Sequence, residues 1–72
     1  MANKSNNIST IAGNIKKARK KQGISQDRLS KLADVAYNTV IKIESGAIQN
    51  PTIKTLAKVA KALGVGVDDL IK

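Results

Sequence analysis

The segment from residue 25 to residue 46, SQDRLSKLADVAYNTVIKIESG, limits the possible folds of this chain more than any other. It contains two apolar patterns of helical period, each only about two turns long. The apolar positions are Leu29, Leu32 and Ala33 in the first pattern, and Ala36, Val40 and Ile43 in the second. Only Asp34 and Val35 separate the patterns, which leaves room for a sharp turn. Because helices this short are unstable alone, we predict a rigid pair of short helices packed at an angle.

Apolar periodicity and helix-terminating residues predict three further helices around this pair. The first spans about residues 10–22, and Gly23 ends it. Its apolar stripe comprises Ile8, Ile11, Ile15 and Ala18. The fourth follows an N-cap at Thr52 and ends at Gly64. Its apolar stripe comprises Ile53, Leu56, Ala57, Ala60 and Leu63.

The pair itself covers about residues 26–33 and 37–45, with an N-cap at Ser25 and Gly46 at its end, and a fifth helix covers residues 67–71. No segment has the alternating pattern of a strand. We therefore predict an all-α fold, a compact five-helix domain over residues 8–72 that follows a flexible N-terminal arm over residues 1–7.

The charge of the chain favours a polyanionic partner. Thirteen Lys and Arg residues stand against five Asp and Glu residues, which gives a net charge of +8 and a pI near 10.1. The alternative is a domain that is merely basic. Neither a membrane-spanning apolar run nor a secretory signal is evident, so we expect a cytoplasmic protein without membrane contact.

The composition argues against catalysis. Without Cys or His, the chain lacks the side chains of most nucleophilic and metal sites. Asp68 and Asp69 are adjacent and point in different directions on a helix, so we interpret them as partners of the helix dipole at its N-terminus. We expect no enzyme activity, no metal and no cofactor; the alternative is an accessory domain of an enzyme.

The basic residues of the first helix do not share one orientation. Measured from Ile15 at about 100° per residue, four lysines point towards solvent, whereas Arg19 lies only about 40° away on the apolar side. The four are Lys16, Lys17, Lys20 and Lys21. Glu44 lies at the edge of the apolar face of the third helix. We predict an Arg19–Glu44 ion pair; the alternative is that both side chains reach water separately.

The chain resembles the phage repressor and Cro-type helix-turn-helix family, also called the xenobiotic-response-element family. The resemblance covers residues 11–70 and rests on the order and spacing of several stretches. These are NIKKARKKQGISQ, the V-x-x-x-x-V-x-K-I-E-S-G pattern from Val35, NPTIKTLAKVAKALGV and the closing VDDL. The resemblance implies a lambda-repressor-like fold and binding to double-stranded DNA.

The resemblance also implies roles for individual residues. The positions that read base edges fall on Tyr37, Asn38 and Lys42, with Ile41 beside them. The positions that contact phosphate fall on Gln26, Ser45, Gln49 and Asn50, and the family's buried ion pair falls on Arg19 and Glu44. The chain departs from the pattern at Asp34, usually Gly, at Ala36, often Ser or Thr, and at Tyr37, often Gln or Arg.

We therefore expect a sequence-specific transcriptional regulator, most simply a repressor, with its third helix (about residues 37–45) in the major groove. The family usually binds as a homodimer on a two-fold operator. Here we expect the dimer contact around Ile48, Val67 and Ile71, and association with the nucleoid when DNA is bound. The alternative is a protein-interaction module, such as an antitoxin-like or scaffold domain with the same fold.

Overall fold

The computed structural model describes residues 10–72, apart from the side chain of Thr10. The predicted arm (residues 1–7) and Ile8 lie outside the described residues. Five helices account for the regular structure of the described part, with no strand among them. They are α1 (Thr10–Lys21), α2 (Gln26–Ala33), α3 (Tyr37–Ser45), α4 (Ile53–Leu63) and α5 (Val67–Ile71). The predicted all-α, five-helix fold is confirmed, and α1 ends one residue earlier than predicted.

Side-chain caps begin two of the helices, as predicted. The hydroxyl of Ser25 accepts a hydrogen bond from the backbone N–H of Arg28 at 2.9 Å, and that of Thr52 accepts from the N–H of Thr55 at 3.1 Å. Each cap satisfies a first-turn amide that has no partner within its helix. Ala36, which precedes α3, provides no side-chain cap.

The turn between α2 and α3 depends on a left-handed residue that is not glycine. Asp34 has φ 57° and ψ 48°, and it is the only non-glycine residue with positive φ in residues 10–72. The N–H of Asp34 donates to Lys31 O at 3.3 Å, and that of Val35 donates to Ser30 O at 3.0 Å. These two bonds close α2 as a Schellman motif, which reverses the chain within two residues.

An aliphatic core lies where the helices meet. The ten buried apolar side chains are Ile15, Leu29, Ala33, Val40, Ile43, Leu56, Val59, Ala60, Leu63 and Leu70. Each of the five helices contributes at least one of them, so no helix is held by its own sequence alone. Across residues 10–72, every helix falls short of the length and apolar character that a bilayer-spanning segment requires.

Three predicted apolar patterns were partly wrong. In the α3 pattern, Ala36 is exposed, because it lies at the N-cap position before the helix. In α2, Leu32 is 49% exposed, and Ser30 is buried in its place. From Leu29, Ala33 lies at about 40° and Ser30 at about 100°, whereas Leu32 lies at about −60°, outside the buried arc. The Ser30 hydroxyl is satisfied because it donates to Asp27 O at 2.6 Å.

The corresponding error in α4 concerns both ends of the predicted face. Ile53 is 70% exposed and Ala57 is exposed, whereas Val59, which was not predicted, is buried. The buried residues of α4 are Leu56, Val59, Ala60 and Leu63. Their arc is centred close to Leu56, and Ile53 and Ala57 lie about 70° and 110° from that centre.

Packing between helices fixes the position of α3. Helix α1 packs against α3, α4 and α5, and α2 packs against α3 and α4. Two amide side chains strengthen this frame: Asn14 Nδ2 donates to Leu70 O at 3.0 Å, and Gln22 Nε2 donates to Leu63 O. The α2–α3 pair is therefore held from both sides, by α1 at α3 and by α4 at α2.

The start of α5 carries a perturbed carboxyl group. Asp69 Oδ2 accepts a hydrogen bond from the backbone N–H of Gly66 at 3.0 Å, and Lys72 Nζ lies 3.4 Å from Asp69 Oδ1. The Gly66 hydrogen bond first, and Lys72 second, hold the pKa of Asp69 below its usual value. Asp69 is thus a partner of the helix N-terminus, as predicted.

Candidate nucleic-acid interface

Helix α3 has one buried face and one exposed face. Val40, Ile43 and Glu44 are buried. The other side presents the four predicted base-reading residues and Ser45: Tyr37, Asn38, Lys42 and Ser45 are exposed, and Ile41 is partly buried. Tyr37 and Ile41, like Asn38 and Lys42, are four residues apart and therefore neighbours on the helix surface. The four base-reading candidates consequently form one continuous patch, which we call the α3 patch.

The predicted partners Arg19 and Glu44 lie in direct contact. Arg19 Nε donates to Glu44 Oε2 at 2.7 Å, and Arg19 Nη2 donates to Glu44 Oε1 at 3.0 Å. The side chain of Glu44 is 1% exposed and that of Arg19 is 11% exposed. Arg19 Nη1 also donates to Ile24 O at 2.8 Å. One guanidinium group therefore joins α1, the α1–α2 turn and α3.

Gln26 makes a contact that the sequence did not reveal. Its Nε2 donates to Glu44 Oε1 at 3.1 Å, so the side chain predicted to contact phosphate is also linked to the buried ion pair. Gln26 is the first residue of α2 and is partly buried. On the helical wheel of α2, Gln26 lies about 60° from Leu29, on the buried side, so spacing could have indicated a buried contact. Spacing could not identify Glu44 as its partner, because that depends on the angle between α2 and α3.

Ser45 and the loop that follows it are fixed by local hydrogen bonds. The Ser45 hydroxyl donates to Lys42 O at 3.1 Å and accepts from the N–H of Ala47 at 3.3 Å. The N–H of Ile48 donates to the same Lys42 carbonyl at 3.0 Å. Gln49 and Asn50 follow in this loop and are both exposed. The hydroxyl of Ser45 is thus occupied in shaping the loop that presents them.

The charged residues of α1, α2 and α3 are basic or belong to an ion pair, whereas exposed Asp34, in the turn before α3, forms no ion pair within residues 10–72. The four predicted lysines of α1, Lys16, Lys17, Lys20 and Lys21, are exposed. The buried acid Glu44 is neutralised by Arg19, and exposed Asp27 is paired with Lys31 at 3.1 Å. Within residues 10–72, no group of three or more His, Cys, Asp or Glu side chains is arranged to hold a metal ion. The arrangement can bind a polyanion and offers mixed donors, acceptors and apolar atoms along α3.

Comparison with known proteins identifies the same architecture. The family described as helix-turn-helix matches residues 15–70. The solved structure of the N-terminal DNA binding domain of SinR from Bacillus subtilis is 36% identical in sequence. That match covers 89% of this chain and 93% of the SinR domain, with a TM-score of 0.86. No curated protein sequence matches the chain significantly.

Proposed function

Because this chain belongs to the Cro- and repressor-type helix-turn-helix family, whose members are DNA-binding regulators and not enzymes, we propose that it represses transcription by binding a specific sequence of double-stranded DNA. Helix α3 enters the major groove, and α2 lies across the phosphate backbone. The observation that carries this proposal is the α3 patch, an exposed helix face with mixed chemistry on a helix whose other face is buried.

Each residue of the α3 patch has chemistry suited to base edges. Lys42 donates to the O6 and N7 acceptors of guanine, and Asn38 pairs with N6 and N7 of adenine. Ile41 contacts a thymine methyl group. Tyr37 donates its hydroxyl to a phosphate or places its ring against a sugar or methyl group. Together these contacts select the sequence, whereas contacts with phosphate set the register.

Phosphate binding is shared between the start of α2 and the loop after α3. Gln26 supplies its side-chain amide, and the first amides of α2 have no partner within the helix. Gln49 and Asn50 are exposed in the loop that Ser45 fixes. Ser45 contributes through this loop, and its hydroxyl reaches phosphate only by exchanging a local hydrogen bond. These sites flank α3 in sequence and hold it in the groove.

The repressor acts as a homodimer on a two-fold operator with half-sites about 34 Å apart. The proposed contact lies at α5 and at the loop before α4. Ile71 is 49% exposed, whereas Ile48 and Val67 are partly buried against the core. Ile71 therefore supplies the accessible apolar surface, and the other two support it. The protein is cytoplasmic and joins the nucleoid when DNA is bound.

Selection of bound sequences from a random duplex library, followed by a salt series on the selected duplex, tests the proposal. We expect one enriched motif in two inverted copies, and an affinity that falls with salt by a logarithmic slope of about −0.9 per phosphate contacted. If the folded domain enriches no sequence and its affinity for duplex DNA does not change with salt concentration, DNA binding is rejected and the protein-interaction alternative is favoured. An enriched single copy would reject only the dimer.

A further inference from the structure

The carboxylate of Glu44 is shared between two partners of different function. Arg19 donates to both of its oxygens, and Gln26 Nε2 donates to Oε1. Glu44 is thus a buried acid with three hydrogen bonds, one of which leads to the start of α2. Arg19 alone would neutralise the charge of Glu44, so the ion pair does not require the bond to Gln26.

The chemistry of these groups fixes the orientation of the Gln26 amide. An ionised carboxylate only accepts hydrogen bonds, so Gln26 must turn its NH₂ group, and not its carbonyl oxygen, towards Glu44. An NH₂ group carries two hydrogens, and Glu44 takes one of them. The second hydrogen remains on a nitrogen whose position is already set. The rotamer freedom that the Gln26 side chain would otherwise lose on binding DNA is therefore already restricted in the free protein.

We propose that Glu44 is a positioning residue for phosphate binding, because it orients the Gln26 amide so that its second Nε2 hydrogen donates to DNA. This inference rests on the proposed contact between Gln26 and phosphate. Arg19 completes the arrangement, because its charge neutralises Glu44 and prevents a bare carboxylate from repelling the phosphate. The buried ion pair of the fold and the DNA contact of α2 are consequently one hydrogen-bonded unit.

A double-mutant cycle separates this role from a purely structural one. The variants are Gln26→Ala, Glu44→Gln and the double variant. Each is measured for Kd on the selected duplex and on duplexes of other sequence, at a temperature where circular dichroism shows a folded domain. We expect Gln26→Ala to weaken binding about tenfold or more on all sequences, the typical effect of losing a hydrogen bond to a charged group. Glu44→Gln should also weaken binding, and the double variant should bind no worse than Gln26→Ala.

The cycle distinguishes a failure of the positioning role of Glu44 from a failure of the phosphate contact of Gln26. If the two losses multiply, Glu44 does not act through Gln26, and the positioning role is overturned alone. If Gln26→Ala binds like the unmodified protein, the phosphate contact of Gln26 is removed from the proposed function, and the positioning role falls with it.

A second measurement needs no variant and no DNA. In the unmodified protein, nuclear magnetic resonance reports the mobility of each side-chain NH₂ group, and exposed Gln49 serves as the control. We expect the Gln26 amide to be clearly more ordered than that of Gln49 on the ps–ns timescale. Equal mobility would overturn the positioning role even if every Glu44 variant failed to fold. Glu44→Asp, which keeps the charge but shortens the reach, should release the Gln26 amide.

Discussion

Arg19 and Glu44, 25 residues apart in sequence, form a two-pronged ion pair with N–O distances of 2.7 and 3.0 Å. The pair connects the longest helix to the helix that carries the α3 patch. Since the Glu44 side chain is 1% exposed, its charge depends on Arg19 for neutralisation. The position of the exposed face of α3 is therefore coupled to a buried electrostatic contact.

Substitution of Arg19 tests this coupling. Arg19→Met keeps much of the packing volume but leaves Glu44 buried without its cation, a change that typically costs about 3–5 kcal/mol. For a domain of this size, each kcal/mol lowers Tm by about 4–8 °C. We expect a large fall in Tm, measured by circular dichroism or calorimetry. The matched control is Lys20→Met on the exposed side of α1, which should change Tm little. Equal Tm values for the two variants would show that the Arg19–Glu44 pair contributes nothing to stability.

The features that could be predicted from sequence are mostly local. The N-caps at Ser25 and Thr52 and the stop at Gly64 depend on neighbouring residues alone, so the helix bounds followed directly. The burial of individual side chains was predicted less accurately, because it depends on which helix covers which face. Leu32 and Ile53 are apolar and correctly spaced, yet both are largely exposed. Each lies outside the arc that the neighbouring helices cover.

The same limit applies to the candidate interface. Arg19 could be assigned to a buried contact because its angle on α1 differs from that of the neighbouring lysines, and Glu44 because it adjoins Ile43. The spacing of α2 places Gln26 on the buried side of that helix, but it does not reveal the bond between Gln26 and Glu44. This bond arises from the crossing of α2 and α3, which the short Asp34-centred turn sets. The base preferences of the α3 patch stay a prediction.

Lys42 should determine base preference at one position. Lys42→Ala removes a donor from the exposed face of α3, and we expect a loss of about 1–3 kcal/mol on the preferred sequence together with relaxed discrimination at one base pair. Binding to duplexes that vary at each position measures this effect. The control is Lys20→Ala, at a lysine remote from the α3 patch in sequence. This variant should weaken binding to all sequences alike or leave binding unchanged. Uniform weakening by Lys42→Ala would make it a phosphate contact instead.

Helix α3 should gain stability from a new N-cap. Ala36 has an extended ψ of 139° but no side-chain acceptor, and it is exposed, so Ser has room there. Ala36→Ser should stabilise the domain by about 1 kcal/mol and raise Tm by about 4–8 °C. Ser25→Ala, which removes an existing cap, should have the opposite effect. No rise in Tm for Ala36→Ser would mean that the first turn of α3 is already satisfied.

Asp69 should make the stability of α5 depend on pH in the acid range. Its pKa is lowered in the folded protein, so its contribution is complete above the unfolded pKa of about 3.9 and is lost as the pH falls through the folded value. Asp69→Asn should lower Tm at pH 7 and not at a pH below the folded pKa, where the difference between the two proteins should close. Thermal unfolding of both proteins from pH 7 to pH 2 measures this, with the Asp69 carboxyl titration followed by nuclear magnetic resonance. A Tm difference that stays constant down to pH 2 would show that the charge of Asp69 is not what stabilises the start of α5.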